Sequence, residues 1–217
     1  MSWPPDSLDR HLALQMMETS YLAATAALIW LGLYYLPIGG ALLRLALPLP
    51  LALLILRHGC RAGLEGIAVA VLLLAVLMGP VRGPLILFPY GFLSLWLGWG
   101  WRHQCSWWFT LIGGLLIGVV GFLIRVFALS LLVGENLWLV INRTGAALLD
   151  RLADFLQLSF AADLSQIQLM AFLLILVQQL IYTLALHTLA FWIFPRLQTP
   201  IPDPPQLLYG LIVLDLP

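Results

Sequence analysis

Six runs of apolar residues, each close to the length that a helix needs to cross a bilayer, follow one another along this chain. They cover residues 20–37, 38–56, 64–80, 85–101, 107–133 and 165–194. Hydrophobic residues make up 62% of the 217 residues and charged residues 9%, and a water-soluble domain of this size cannot bury so much apolar surface. The sequence therefore predicts an all-α integral membrane protein with about six transmembrane helices.

Three of the runs depart from a simple span. The second, 38–56, contains Arg44 and the sequence Leu47-Pro48-Leu49-Pro50, in which two prolines remove two backbone hydrogen-bond donors. We therefore expect this helix to be kinked or re-entrant. The runs 107–133 and 165–194 are longer than a bilayer requires, so we expect them to tilt or to extend past the interface.

The arginines predict how the helices are oriented. With a cytoplasmic N-terminus, the cytoplasmic side carries five arginines: Arg10, Arg57, Arg61, Arg102 and Arg196. The short loops on the opposite side carry only Arg82, and the longer fifth connection carries Arg143 and Arg151. The positive-inside rule therefore predicts that both termini lie in the cytoplasm.

Three segments are predicted to lie outside the bundle 20–195. Residues 1–19 are polar and lack the features of a signal peptide, so we expect a short, retained extramembrane segment. Residues from about 145 to 158 place apolar and polar side chains on opposite faces of a helix, which is typical of an amphipathic helix in the membrane interface. The tail, 196–217, is proline-rich and then apolar, and we expect its apolar end to pack on a partner or on the membrane surface.

The fifth run carries glycines and one arginine on a single helix face. These residues are Gly114, Gly118, Gly121 and Arg125. The glycines form a groove that another backbone can approach closely. Arg125 lies about two turns before the end of the run, where a charge must face protein or water. It either anchors a carboxylate or phosphate ligand, or it reaches outward and pairs with Glu135 or Asp163.

The sixth run carries a polar stripe on one face. Its members are Gln168, Gln179, Thr183 and His187, with Gln178 and Tyr182 beside them. Polar groups in a bilayer seek partners on other helices, so these side chains either line a substrate cavity together with Arg125 or join helices by hydrogen bonds.

The first run has a face of small residues, Ala23 and Ala27. Such a face permits close approach of a helix, either from another subunit or from within the same bundle.

Two similar tetrads fall in the predicted cytoplasmic loops: Arg57-His58-Gly59-Cys60 and Arg102-His103-Gln104-Cys105. His58, Cys60, His103 and Cys105 would supply four tetrahedral zinc ligands if the two loops met. Their spacing matches no established zinc signature, so the interpretation we favour is two arginine-flanked loops without a metal.

The remaining patterns exclude several classes of function. Ten arginines balance ten acidic residues, which leaves no basic surface for nucleic acid. The sequence contains no phosphate-binding loop, metalloprotease motif or serine-nucleophile motif. We therefore expect a protein without cofactor that is not an enzyme.

Glycine and proline motifs give the chain a resemblance to a known family. They are Pro37-Ile38-Gly39-Gly40, Leu47-Pro48-Leu49-Pro50, the loop from Arg57 to Gly63, and Gly79-Pro80-Val81-Arg82-Gly83-Pro84. Together with the alanine-rich first run, they resemble the cyanobacterial branch of the YybS-like family of multi-pass membrane proteins, over about residues 20–195. That family is similar to the S-components of energy-coupling-factor vitamin transporters, which are six-helix substrate-capture subunits that bind a T-subunit coupled to two ATPases.

The resemblance implies an S-component-like bundle in a bacterial inner membrane or a thylakoid membrane. It also implies that Ala23 and Ala27 match the small-residue face by which S-components contact their T-subunit.

Two functions remain open at this point. In the leading hypothesis, the protein is an accessory or scaffold subunit whose glycine groove, alanine face and apolar tail dock a larger membrane complex, such as a photosynthetic assembly intermediate. In the alternative, it is an S-component-like subunit that captures a small amphiphilic or anionic solute with Arg125, Asn136, Trp138 and the polar stripe. The arginine favours a ligand, and the sparse polar lining favours a scaffold.

Overall fold

A computed structural model describes residues 7–36, 39–155 and 163–206. The regular elements in these residues are all helical, so the predicted all-α class is confirmed. The helices are α1 (Ser7–Tyr35), α2 (Gly40–Ala46), α3 (Leu49–His58), α4 (Cys60–Met78), α5 (Phe92–Arg102), α6 (Trp107–Val133), α7 (Leu137–Phe155) and α8 (Leu164–Ile193). Two 3-10 turns, Gly83–Ile86 and Pro195–Leu197, and a π turn, Leu87–Gly91, complete the chain's regular structure within the described residues.

Five helices in the described residues are long and apolar enough to cross a membrane, so the count of six is not confirmed. These helices are Arg10–Tyr35, Gly40–His58, Cys60–Met78, Trp107–Val133 and Leu164–Ile193. The predicted fourth span, 85–101, is divided by the π turn, and α5 has only 11 residues. Phe88 leaves the helical region there, with φ −111 and ψ 118, because the ring of Pro89 disfavours a helical conformation in the residue before it.

The second span, which we expected to be kinked or re-entrant, is interrupted at Leu47–Pro48, between α2 and α3, although both residues keep helical dihedral angles. Pro48 has no N–H, so the carbonyl of Arg44 lacks its usual helical donor. The hydroxyl of Tyr182 in α8 donates to that carbonyl at 2.9 Å. The carbonyl left free by Pro48 thus takes part in a hydrogen bond that joins α2 to α8.

Helix bounds differ from the prediction at two of the extramembrane segments. α1 begins at Ser7, so part of the expected polar segment 1–19 is continuous with the first span. The interfacial helix begins at Leu137 rather than near 145, and it packs along α8: a Cβ on Gly145 would lie 3.1 Å from the carbonyl oxygen of Ile167. Most side chains that define its two faces, and the apolar end of the tail (207–217), lie outside the described residues.

The end of α3, the start of α6 and the residues after α8, which we expected on the cytoplasmic side, lie together at one end of the bundle. Glu18 accepts a hydrogen bond from Arg57 at 3.1 Å, and Arg57 also donates to the carbonyl of Leu197 at 2.9 Å. The indole N–H of Trp107 donates to the carbonyl of Pro202 at 2.7 Å. The proline-rich strap, residues 199–206, is thereby fastened back onto the bundle.

Candidate functional site

Arg125 lies within the membrane-spanning part of α6 and is only half-buried. Its Nη1 lies 3.4 Å from the hydroxyl oxygen of Tyr90, and its guanidinium carbon lies 5.3 Å from the ring centroid of Trp30 and 5.8 Å from that of Tyr90. Aromatic faces attract a cation but do not neutralise its charge. Within the described residues, the ion pairs involve other arginines and His58, and none joins a carboxylate to Arg125.

The predicted alternative, in which Arg125 pairs with Glu135 or Asp163, does not occur in the structure. Asp163 instead caps α8, because its backbone N–H donates to Gln166 Oε1 at 2.9 Å and its carboxylate accepts from the Ser165 hydroxyl at 2.9 Å. The hydrogen bond from Ser165, together with backbone N–H groups, holds the pKa of the Asp163 carboxyl below its ordinary value. Glu135 lies in a separate cavity.

Arg125 opens onto a cleft of about 540 Å³ between α2, α6, α8 and the π turn, which we call the arginine cleft. Its polar lining consists of Arg44, Tyr90, Arg125, Gln178, Gln179 and Tyr182. The remaining lining is apolar and includes Leu42, Leu45, Phe122, Leu129 and Ile181. None of the lining residues is acidic, so the two arginines make the cleft formally dicationic.

Gln179 is a buried polar side chain of the cleft, with 6% exposure. No described residue forms a hydrogen bond with its side-chain amide, and the amide is not among the fully buried polar groups without a partner, so it is accessible from the cleft. Gly118 makes room for it, because a Cβ at that position would lie 2.8 Å from Gln179 Oε1. The amide is therefore available to a molecule in the cleft.

Thr183 and His187, which join Arg125 in one of the two interpretations of the polar stripe, are fully buried and lie away from the cleft. The hydroxyl oxygen of Thr110 is 2.9 Å from His187 Nε2, and His187 Nδ1 is 2.8 Å from the carbonyl oxygen of Thr183. A carbonyl only accepts, so Nδ1 carries a hydrogen and donates it. These residues join α6 to α8, as the hydrogen-bonding interpretation of the polar stripe predicts.

Asn136 and Trp138, also predicted to join Arg125, line a second cavity of about 550 Å³ together with Ser130 and Glu135. Asn136 Oδ1 accepts from the backbone N–H of Trp138 at 3.1 Å, which starts α7. Val126 borders both cavities, but the structure does not bring these two residues to Arg125.

The small residues of the predicted docking faces pack inside the chain. A Cβ on Gly114 would lie 2.8 Å from Thr183 Cγ2, and one on Gly121 would lie 2.6 Å from Pro89 Cβ. Ala23 and Ala27 are fully buried. Bundle packing therefore accounts for both faces, and neither is free for a second subunit.

The two tetrads do not form a metal centre. No group of three or more metal-ligating side chains occurs among the described residues, and Cys60 and Cys105 are free thiols. His58 Nε2 lies 2.9 Å from Glu18, and His103 Nδ1 lies 2.9 Å from the carbonyl oxygen of Trp99. The imidazoles have local partners instead of a shared ion.

Sequence reasoning missed two residues of the site, Trp30 and Tyr90. Trp30 resembles any other aromatic residue of an apolar run, and nothing local in the sequence distinguishes it. Tyr90 had a usable signal, because it follows Pro89 within an apolar run. A broken helix near the one charged residue of another helix is typical of a membrane binding site.

Comparison with known proteins identifies a family. A family model described as "Predicted membrane protein (DUF2232)" covers residues 23–209. No curated protein and no solved structure matches the chain. The resemblance to S-components and to a cyanobacterial branch stays a prediction.

Proposed function

The chain belongs to the family described as predicted membrane protein (DUF2232), and we propose that it is a non-enzymatic protein that binds an amphiphilic anionic molecule in the arginine cleft. Capture of this kind is what a substrate-binding subunit of a transporter performs. We favour ligand binding over the scaffold role, because residues of the same chain already pack against the glycine groove and the alanine face.

The observation that carries the proposal is the uncompensated charge of Arg125. A guanidinium within a membrane span is costly unless it is paired or hydrated. Among the described residues, Arg125 has one long hydrogen bond to Tyr90 and two aromatic faces, and no carboxylate. An anion in the cleft would supply the missing charge.

The local architecture supports the same proposal. Discontinuous helices with cavities beside them are a common way to build binding sites inside a membrane. Here the π turn, Leu87–Gly91, contributes both Pro89 and Tyr90 to the lining of the cleft. The volume of about 540 Å³ falls within the range of small-molecule sites.

The proposal is tested by identifying what the protein retains when it is purified. Wild-type protein and the Arg125→Leu variant are extracted in mild detergent, and bound small molecules are quantified by mass spectrometry. We expect a stoichiometric anionic amphiphile with the wild type and its loss from the variant. Arg143→Leu, which removes an exposed arginine of α7, should retain it. Equal recovery from wild type and Arg125→Leu would contradict the proposal.

A second function, docking of a larger membrane complex, is favoured by one other feature. An apolar groove of about 630 Å³ lies between α5 and α6 and is lined by residues that include Phe92, Trp96, Leu116 and Val120. Phe92, Leu116 and Val120 are exposed, which suits contact with a helix of a partner protein.

The same purification separates the two functions. Stable co-purification of a membrane complex without a bound solute supports the scaffold role. A stoichiometric solute, or recovery of a T-subunit with its ATPases, supports capture.

A further inference from the structure

We propose that the arginine cleft takes a long-chain phosphate monoester, which enters sideways from the bilayer. This inference rests on the proposed function and names the chemical class of its ligand. Three features of the cleft support it: its charge, the unpaired amide of Gln179 and the side on which it opens.

Among the described residues, the lining of the cleft carries two positive charges and no negative one. Arg44 and Arg125 both line the cleft, and no acidic residue shares the lining. No described carboxylate forms an ion pair with either guanidinium. A monoanion satisfies one of the two arginines, whereas a dianion satisfies both. A phosphate monoester is mostly dianionic above neutral pH, and its three terminal oxygens suit guanidinium groups.

The cleft also contains the side-chain amides of two glutamines. Gln179 is 94% buried, given its 6% exposure, and its amide has no partner among the described residues. Gln178 lines the same cleft. Amide N–H groups can donate to the phosphate oxygens that the arginines leave unbound. The cleft therefore offers neutral donors beside its two cations.

The cleft is bordered by apolar residues on the outer surface of the bundle. Leu42 and Ile181 line the cleft and are also strongly exposed, at 74% and 62%. Both lie on candidate membrane spans, so their exposed surfaces face lipid. The cleft thus opens toward hydrocarbon, and an alkyl tail can lie against Leu42 and Ile181 while the head group contacts the arginines.

The depth of the cleft agrees with lateral entry. Trp30, which lies against Arg125, is about 18 Å further along α1 than Glu18, at 1.5 Å per residue. The hydrocarbon core is about 30 Å thick. Trp30 lies within the candidate span Arg10–Tyr35, so a head group beside it would lie within the span, at a distance from Glu18.

The experiment compares two esters that share one tail. Protein in phosphatidylcholine nanodiscs is titrated at pH 7.5 with dodecyl phosphate, a dianion, and with its methyl diester, a monoanion, and protein-free nanodiscs are subtracted. We expect the monoester to bind about tenfold more tightly or better, because the second guanidinium adds a charge-assisted hydrogen bond.

Variants assign that difference to the two arginines. Arg44→Gln should weaken the monoester to the level of the diester and leave the diester nearly unchanged, whereas Arg44→Lys should keep most of the preference. Arg125→Gln should abolish binding of both esters. Gln179→Leu should weaken both esters by similar factors, and Arg143→Gln should change neither.

Each outcome decides the inference. Equal affinity for the two esters, or no binding of either, overturns it. Displacement of dodecyl phosphate by an equal concentration of inorganic phosphate also overturns it, because the ligand would then come from water. Recovery of a different class of anion, lost in Arg125→Leu, would refute this inference and leave the proposed function standing.

Discussion

A methyl group added at Gly121 tests whether Pro89 of the π turn packs directly against α6. In Gly121→Ala, the new Cβ would lie 2.6 Å from Pro89 Cβ and 2.7 Å from Pro89 Cα. The Cα belongs to the backbone and cannot rotate away as a flexible side chain could. Either α6 or the π turn must move, and Tyr90 would move with it.

The expected cost follows from this geometry. Forcing an extra carbon into a packed interior costs about 1–3 kcal/mol. For a chain of this size, each kcal/mol lowers the melting temperature by about 2–4 °C. Compared with a helical glycine-to-alanine substitution that meets no clash, we therefore expect Gly121→Ala to melt roughly 2–12 °C lower. A displaced Tyr90 would also weaken the binding of dodecyl phosphate.

The assay is thermal unfolding in detergent, followed by tryptophan fluorescence, with Gly32→Ala as the matched control. Gly32 is also inside a helix, but its added Cβ would meet only side chains, at 3.4 Å from Leu43 and 3.6 Å from Leu36. Replacing glycine by alanine inside a helix is otherwise favourable, so the control should melt at or above the wild-type temperature. If Gly121→Ala melts like Gly32→Ala, the close approach of Pro89 to α6 is refuted.

Two further predictions concern the contacts that hold the helices together. Tyr182→Phe leaves the carbonyl of Arg44 without a donor and should cost about 0.5–1.5 kcal/mol in the free energy of unfolding, whereas Tyr21→Phe, at an exposed site, should cost nothing measurable by thermal unfolding. Arg57→Leu removes the hydrogen bond to the carbonyl of Leu197 and should speed proteolytic cleavage within residues 199–206, as read by mass spectrometry. An unchanged cleavage rate would show that Arg57 does not fasten the strap.

The helical class and the interruption of the second span could be predicted because both depend on local composition. Apolar length alone requires helices in a bilayer, and Pro48 lacks a donor in any fold. The broken fourth span carries the same kind of signal in Pro89, but its surrounding apolar run hides it. Hydropathy measures how apolar a segment is and does not measure whether its backbone stays helical.

The candidate site could be predicted only in part, since helix periodicity places residues on a face without saying which neighbour that face meets. Gln179 and His187 share a face of α8, yet Gln179 opens onto the cleft and His187 packs against Thr110. Arg125 was identified because a charge inside a span needs an explanation in any fold. Trp30 was missed, because its contact with that charge depends on how α1 packs against α6.

The hydrogen bond between the Tyr182 hydroxyl and the carbonyl of Arg44 makes the effect of a substitution at position 182 depend on the residue at position 48. If alanine replaced Pro48, the backbone could satisfy that carbonyl within its own helix, and the hydroxyl of Tyr182 would lose its role there. If Pro48 remains, loss of the Tyr182 hydroxyl leaves the carbonyl of Arg44 without a hydrogen-bond donor. We therefore expect a substitution of Tyr182 to be better tolerated in a chain that lacks Pro48 than in this one.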